Sequence, residues 1–91
     1  MTQRDFVDRI AAATGVPKLR VDQVLDLFLE EIGDALGRDR RVFIRHFGVF
    51  RTVDLQARTG RNPRTGAPVA IPASTHVRFR AGKRMRDKLN T

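Results

Sequence analysis

Seven residues, Gly60-Arg61-Asn62-Pro63-Arg64-Thr65-Gly66, constrain this chain more than any others. Gly, Asn and Pro in so short a stretch dictate a tight, polar reversal. On either side apolar residues recur at alternate positions, Val53 and Leu55 before it and Val69 and Ile71 after it. A period of two is the signature of strands. Two strands joined by such a tip form a ribbon, and this one has few side chains able to build a core. With Arg61 and Arg64 around Pro63, it reads as an arm that leaves the body and grips an anionic ligand.

The body must come from the rest of the 91 residues. Thr2 can cap a first helix along which Phe6, Val7 and Ile10 lie at helical spacing, with Asp5 in the first turn where the helix dipole favours a carboxylate. Gly15 stops that helix, and Pro17 restarts the chain as a first-turn proline. A second helix is expected from about Lys18 to Leu36, with Val21, Val24, Leu25, Phe28, Leu29, Ile32 and Leu36 as a broad apolar stripe widened by Leu27. The stripe is too broad for a helix with one small partner, so it reads as core plus dimer interface. Asp22, Asp26, Glu30 and Asp34 repeat every four residues on another face and read as a solvated ridge turned away from an anionic ligand.

After Gly37 the pattern changes. Arg41 to Arg45 reads as a strand, His46-Phe47-Gly48 as a turn, Val49 to Leu55 as a second strand, and Thr75 to Arg80 as a third with Val77 and Phe79 inward. Gly82 opens a short final helix carrying Met85 and Leu89 on one side. The expected class is α+β: two N-terminal helices, a three-stranded antiparallel sheet with a long β-ribbon arm, and a short C-terminal helix. The chain forms one domain, in which residues 1–50 make mainly the dimerisation body, 51–75 the arm, and 76–91 the third strand and last helix. Phe47, Phe50 and Phe79 sit beside apolar neighbours, which suits core and interface better than base stacking.

Charge is sharply divided. Residues 1–37 hold four basic and seven acidic side chains, and residues 38–91 hold fourteen and three, so nets of −3 and +11 make up the +8 of the whole. Basic charge confined to one half marks a binding face rather than a solubilising surface. Fifteen of the eighteen cations are arginine, whose planar fork suits phosphate. A chain this short buries only roughly 60–65% of its unfolded surface, and with no cysteine to staple it, oligomerisation is the expected remedy. The two histidines, His46 and His76, have no metal-ligand spacing, and no cofactor is expected. No apolar run approaches the ~20 residues of a membrane span, and no secretory stretch follows Met1 to Asp5. Nothing resembles a nucleophile–base pair, a carboxylate cluster or a phosphate-binding glycine loop, so the chain does not read as an enzyme.

The tip, preceded by Phe47-Gly48-Val49-Phe50 and followed by Phe79-Arg80-Ala81-Gly82-Lys83, resembles the bacterial HU and integration host factor family of DNA-bending proteins, from Thr2 to Asn90. The resemblance implies an intertwined dimer with two arms, acting on double-stranded DNA in the bacterial nucleoid of the cytoplasm, with bent, nicked or distorted duplexes preferred and no membrane or small-molecule partner. A homodimer is expected, with a heterodimer as the alternative. The residues alone support Pro63 equally as a turn residue and as a wedge; the resemblance places it on the family's intercalating proline. Arg58, Arg61 and Arg64 are then expected along the minor groove, with Asn62 bonding to groove-edge acceptors. Arg4, Arg51, Arg78, Arg80, Lys83 and Arg86 are candidates for phosphates along the flanks, and Lys83 and Arg86 match basic positions of the family's last helix. The amino terminus of that helix at Gly82 is expected to take a phosphate too. Arg38, Arg40 and Arg41 read as solubilising the turn after the second helix.

Several positions depart from the family pattern. His46 replaces a glycine before Phe-Gly, a less comfortable choice if that turn needs positive φ. Pro17 stands where a serine or threonine cap is common, and Val77 replaces a frequent proline. Asp54 and Leu55 thin the basic charge at the arm base. Arg45 falls where one integration host factor subunit presents an arginine to the groove, so a site-preferring subunit is the alternative to a sequence-nonspecific HU type. From other classes, an RNA-binding basic module or an anionic-lipid surface would also use a basic face. Paired wedges suit RNA grooves poorly, and the last helix is too sparsely apolar for lipid.

Overall fold

Thr2 occupies the N-cap of α1 (Gln3–Thr14), and the Asp5 carboxylate accepts from its backbone N–H at 2.9 Å. That bond satisfies one of the donors a helix start leaves free. The fold is described from a computed structural model of residues 1–91. Gly15 ends α1 in the left-handed region at φ 75°, its N–H donating to the Ala11 carbonyl. Pro17 lies one step outside its expected place. Its ψ of 141° puts it at the N-cap of α2 (Lys18–Asp39), where its carbonyl accepts from Val21 N–H at 3.1 Å.

Helix α2 runs through Gly37 and ends three residues beyond Leu36. The left-handed residue that stops it is Arg40, at φ 65°. Tertiary bonds hold this unfavourable conformation: the Arg40 guanidinium pairs with Asp54 at 2.7 Å, and its carbonyl accepts from Thr52 N–H at 3.0 Å. Arg40 is therefore a clip between helix and sheet, not a solubilising residue. The acidic ridge is also only partly free, because Gln3 Nε2 donates to Asp26 at 2.6 Å and to Asp22 at 3.3 Å, tying α1 to α2.

The strands are β1 (Arg41–Ile44), β2 (Gly48–Leu55), β3 (Arg58–Arg61), β4 (Pro68–Ile71) and β5 (Ser74–Ala81). An antiparallel sheet of order β1-β2-β5 forms the body, and β3 and β4 pair separately as the arm. Arg45 falls in the first turn rather than in β1, and Gly48 begins β2 rather than ending that turn. His46, in the turn, stands at φ 64°, so this position does demand the conformation that glycine adopts freely. Gly48 is required for a different reason: a Cβ there would meet the Phe79 ring at 2.7 Å and the Arg80 carbonyl. That ring closes an aromatic trio on the helix side of the sheet, 5.1 Å from Phe47 and 4.8 Å from Phe50 between centroids. Val77 shares the face of Phe79 by strand parity, yet it stays 57% exposed. Short helix α3 (Lys83–Leu89) follows Gly82, whose N–H is taken by the Phe47 carbonyl at 2.8 Å.

In the single chain the core is thin. Val7, Val21 and Leu36 are the buried hydrophobic residues, Ile32 is half-buried, and Phe28 and Leu29 of the same stripe remain about half exposed. The radius of gyration is 18.9 Å and the long axis 58 Å. A compact domain of this length would have a radius of about 12 Å. The excess is the arm reaching away from the helices.

Candidate nucleic-acid interface

The arm is held by main-chain register rather than by a core. Arg58 faces Ile71, Gly60 faces Val69 and Arg61 faces Pro68. A Cβ on Gly60 would meet Ile71 Cδ1 at 2.8 Å, so the missing side chain lets Ile71 lie across the ribbon. At the tip, Asn62 N–H donates to the Ala67 carbonyl at 2.9 Å and Gly66 N–H to the Asn62 carbonyl at 2.7 Å. Asn62 Oδ1 accepts from Arg64 N–H at 2.8 Å, a local bond typical of Asx turns. The amide NH2 of Asn62 has no partner within the chain and is left to meet a ligand. Pro63, Arg61 and Arg64 are exposed at the end of this braced loop. Arg58 and Arg61 are three positions apart on one strand and so emerge on opposite faces of the ribbon. That arrangement suits a ribbon enclosed by the two walls of a groove.

The outer face of the body sheet, away from the helices, carries the next group. Register places Arg41, Arg51 and Arg78 directly opposite one another across β1, β2 and β5, and Phe43, Val49 and Arg80 in the neighbouring row. Like charges in direct cross-strand positions are destabilising, and an anion laid over the column relieves that repulsion. Arg41, Val49, Arg51 and Arg80 line one depression of about 290 Å³. None of the arginines on this face is paired: the four ion pairs use Lys18, Arg38, Arg40 and Lys83 among the eighteen basic residues.

The remaining candidates are scattered. Arg45 lies in the turn after β1. Lys83 Nζ is paired with Asp87 at 2.9 Å, on an exposed helix that also carries Arg86. Arg4 lines a groove between α1 and α2 together with Asp8, Lys18 and Asp22, and no strand residue enters that groove. Gly82 N–H is engaged by the Phe47 carbonyl, so the N–H groups at the start of α3 are those of the residues that follow it. Arg41, read from the sequence as solubilising a turn, and Phe43 stand on the outer face of the sheet by register. Asp54, read as thinning the basic charge, pairs with Arg40 and also ties the arm base to the end of α2. The Arg40 guanidinium, and then the Thr75 hydroxyl at 2.9 Å, keep its carboxyl below the usual value of 3.8. No helix is long and apolar enough to cross a membrane.

Residues 1–90 match the family described as bacterial DNA-binding protein. The chain belongs to this family. It is 38% identical to DNA-binding protein HU-beta of Pseudomonas aeruginosa over 90 residues, which cover 99% of this chain and all of that protein. It is 35% identical to integration host factor subunit alpha of Acinetobacter baylyi over 91 residues, covering all of this chain and 94% of the other. Among solved structures, an Anabaena HU–DNA cocrystal structure superposes with a TM-score of 0.88 at 37% identity, covering 98% of this chain and 97% of that one. Both branches of the family are thus represented at similar identity.

Proposed function

We propose that this protein is an architectural DNA-binding protein of the HU type, which bends and compacts duplex DNA with little sequence preference. One observation carries the reading. An arm tipped by exposed Pro63 extends from an unpaired arginine face, on a fold that superposes on an HU chain from a complex with DNA. The family is one of DNA-binding proteins, not of enzymes.

Each part has a task. Pro63, a rigid apolar ring on a braced tip, enters between base pairs and kinks the duplex. Arg58, Arg61 and Arg64 line the minor groove, and the Asn62 amide donates to its acceptors, which are alike for A·T and T·A pairs. Unstacking costs a few kcal/mol per step and bending a short site about 1–6 kcal/mol. The bent flanks offset this by reaching phosphates over Arg51, Arg78 and Arg80, with Arg45, Lys83 and Arg86 beyond them. Lys83 must exchange Asp87 for phosphate, and an exposed pair of that kind contributes at most about 1 kcal/mol. Arg4, on α1, is the remaining contact of this proposal.

The working unit is a dimer, supported by the surface left open in one chain. The accessible area is 7975 Å², against about 5,400 Å² for a folded monomer of this mass. Part of the difference is the arm, and part is the open apolar stripe of α2. A homodimer carries two Pro63 wedges and twice the chain's +8 charge. The bacterial nucleoid is the compartment this reading implies. Arg45 favours the second reading, a site-preferring subunit like integration host factor, which would need a partner subunit.

Competition among nicked duplex DNA, duplex RNA and anionic vesicles tests the class of ligand. Tightest binding to nicked DNA, falling steeply with salt, is expected. Equal or tighter binding to RNA or vesicles would replace the reading.

A further inference from the structure

We infer that Phe43 packs on the deoxyribose edges of the bound duplex and helps the protein select DNA over RNA, an inference that rests on the DNA-binding reading above. Phe43 is 69% exposed, the most of the six phenylalanines. The other five lie on the helices or in the trio under the sheet, on the side that the second chain of the proposed dimer would cover. Phe43 points the other way. It shares its face with Arg41 on the same strand, and Val49 and then Arg80 follow across the sheet. By parity this face of β2 and β5 carries Arg51, Val53, His76 and Arg78 as well, and no carboxylate.

A large apolar ring kept in water among unpaired arginines needs an occupant that is both anionic and apolar. A nucleic-acid groove wall is such a surface, with phosphates at its rim and sugar C–H groups within. A depression of about 480 Å³ beside Phe43 is lined by His46, Lys83, Arg84 and Asp87, with Asp87 held by Lys83 at 2.9 Å. Phosphates on the two sides of a sugar resting on Phe43 therefore meet Arg80 and Arg51 on one side and Lys83 and Arg84 on the other. In RNA the 2′-hydroxyl places a polar group where the ring would pack. The ring thus gives the sheet face a preference that arginine alone cannot supply.

The apolar contact releases no counterion, so its signature differs from that of an arginine. Affinity for nicked duplex DNA and for an RNA duplex of the same sequence is measured across a salt series for the wild type, Phe43→Ala, Phe43→Leu and Arg51→Gln. Phe43→Ala is expected to bind DNA about tenfold more weakly with an unchanged salt slope. Its RNA affinity should not change, and Phe43→Leu should recover most of the deficit. Arg51→Gln lowers the slope on both ligands. Equal weakening on DNA and RNA, no weakening at all, or a weakened dimer by sedimentation would overturn the inference. Unaltered DNA binding by Phe43→Ala, with the wild type still binding and bending DNA, removes Phe43 alone. A wild type that does not prefer DNA removes the functional reading as well.

Discussion

His46 shows what a single residue can cost. A histidine at φ 64° occupies a region that side chains with a Cβ enter unfavourably. His46→Gly is expected to stabilise the protein by up to about 1 kcal/mol in chemical denaturation, offset partly by the greater freedom of glycine in the unfolded chain. Gly48→Ala should do the opposite, by about 1–3 kcal/mol, because its Cβ would press on the Phe79 ring. A variant as stable as the wild type would mean that the ring and the Arg80 carbonyl both move aside freely. Asp54 contributes in a pH-dependent way. Its folded-state pKa lies below its ordinary value, owing first to Arg40 and then to Thr75. Its stabilisation is therefore present above the unfolded pKa and is lost as pH falls through the folded value. Thermal melts of wild type and Asp54→Asn should differ at neutral pH and converge in acid; a constant gap would deny the clip its charge.

At the scale of elements, the arginine column turns a sequence detail into a surface. Arg41→Gln and Arg78→Gln should each lower the salt slope of DNA binding by about one unit for every phosphate the arginine neutralises. Arg38→Gln should leave the slope alone, because Arg38 sits in α2 beside Asp39 at 3.6 Å. Slopes equal to that of the wild type for Arg41→Gln and Arg78→Gln would mean that the sheet face does not touch phosphate. The order of elements and the arm were legible in the sequence, because period-two alternation and a Gly/Asn/Pro tip are local signals. The end of α2 was not, since Arg40 rather than Gly37 makes the reversal and is held there by Thr52 and Asp54 of β2. The face of Arg41 was hidden for a related reason: it depends on register with Arg51 and Arg78, which no local window contains. Asn62 and Pro63 were recognisable as tip residues, but the inward bond that Asn62 Oδ1 accepts from Arg64 was not.

For the whole molecule, the thin core and the protruding arm belong to one design. A chain that leaves Phe28, Leu29 and Val24 about half exposed needs a second chain, and a second chain supplies a second arm. Sedimentation should give a dimer at micromolar concentration, and Phe28→Ala should weaken both the dimer and its thermal stability. The central claim is that the two Pro63 wedges bend DNA. End-labelled duplexes of about 35 base pairs, random in sequence, with and without a nick, report bending and affinity together by energy transfer. The wild type should bring the ends of every duplex closer, and Pro63→Ala should lose much of that bend while keeping most of its affinity. Tight binding by the wild type with no change in end-to-end distance would contradict the account and leave Pro63 as a turn residue.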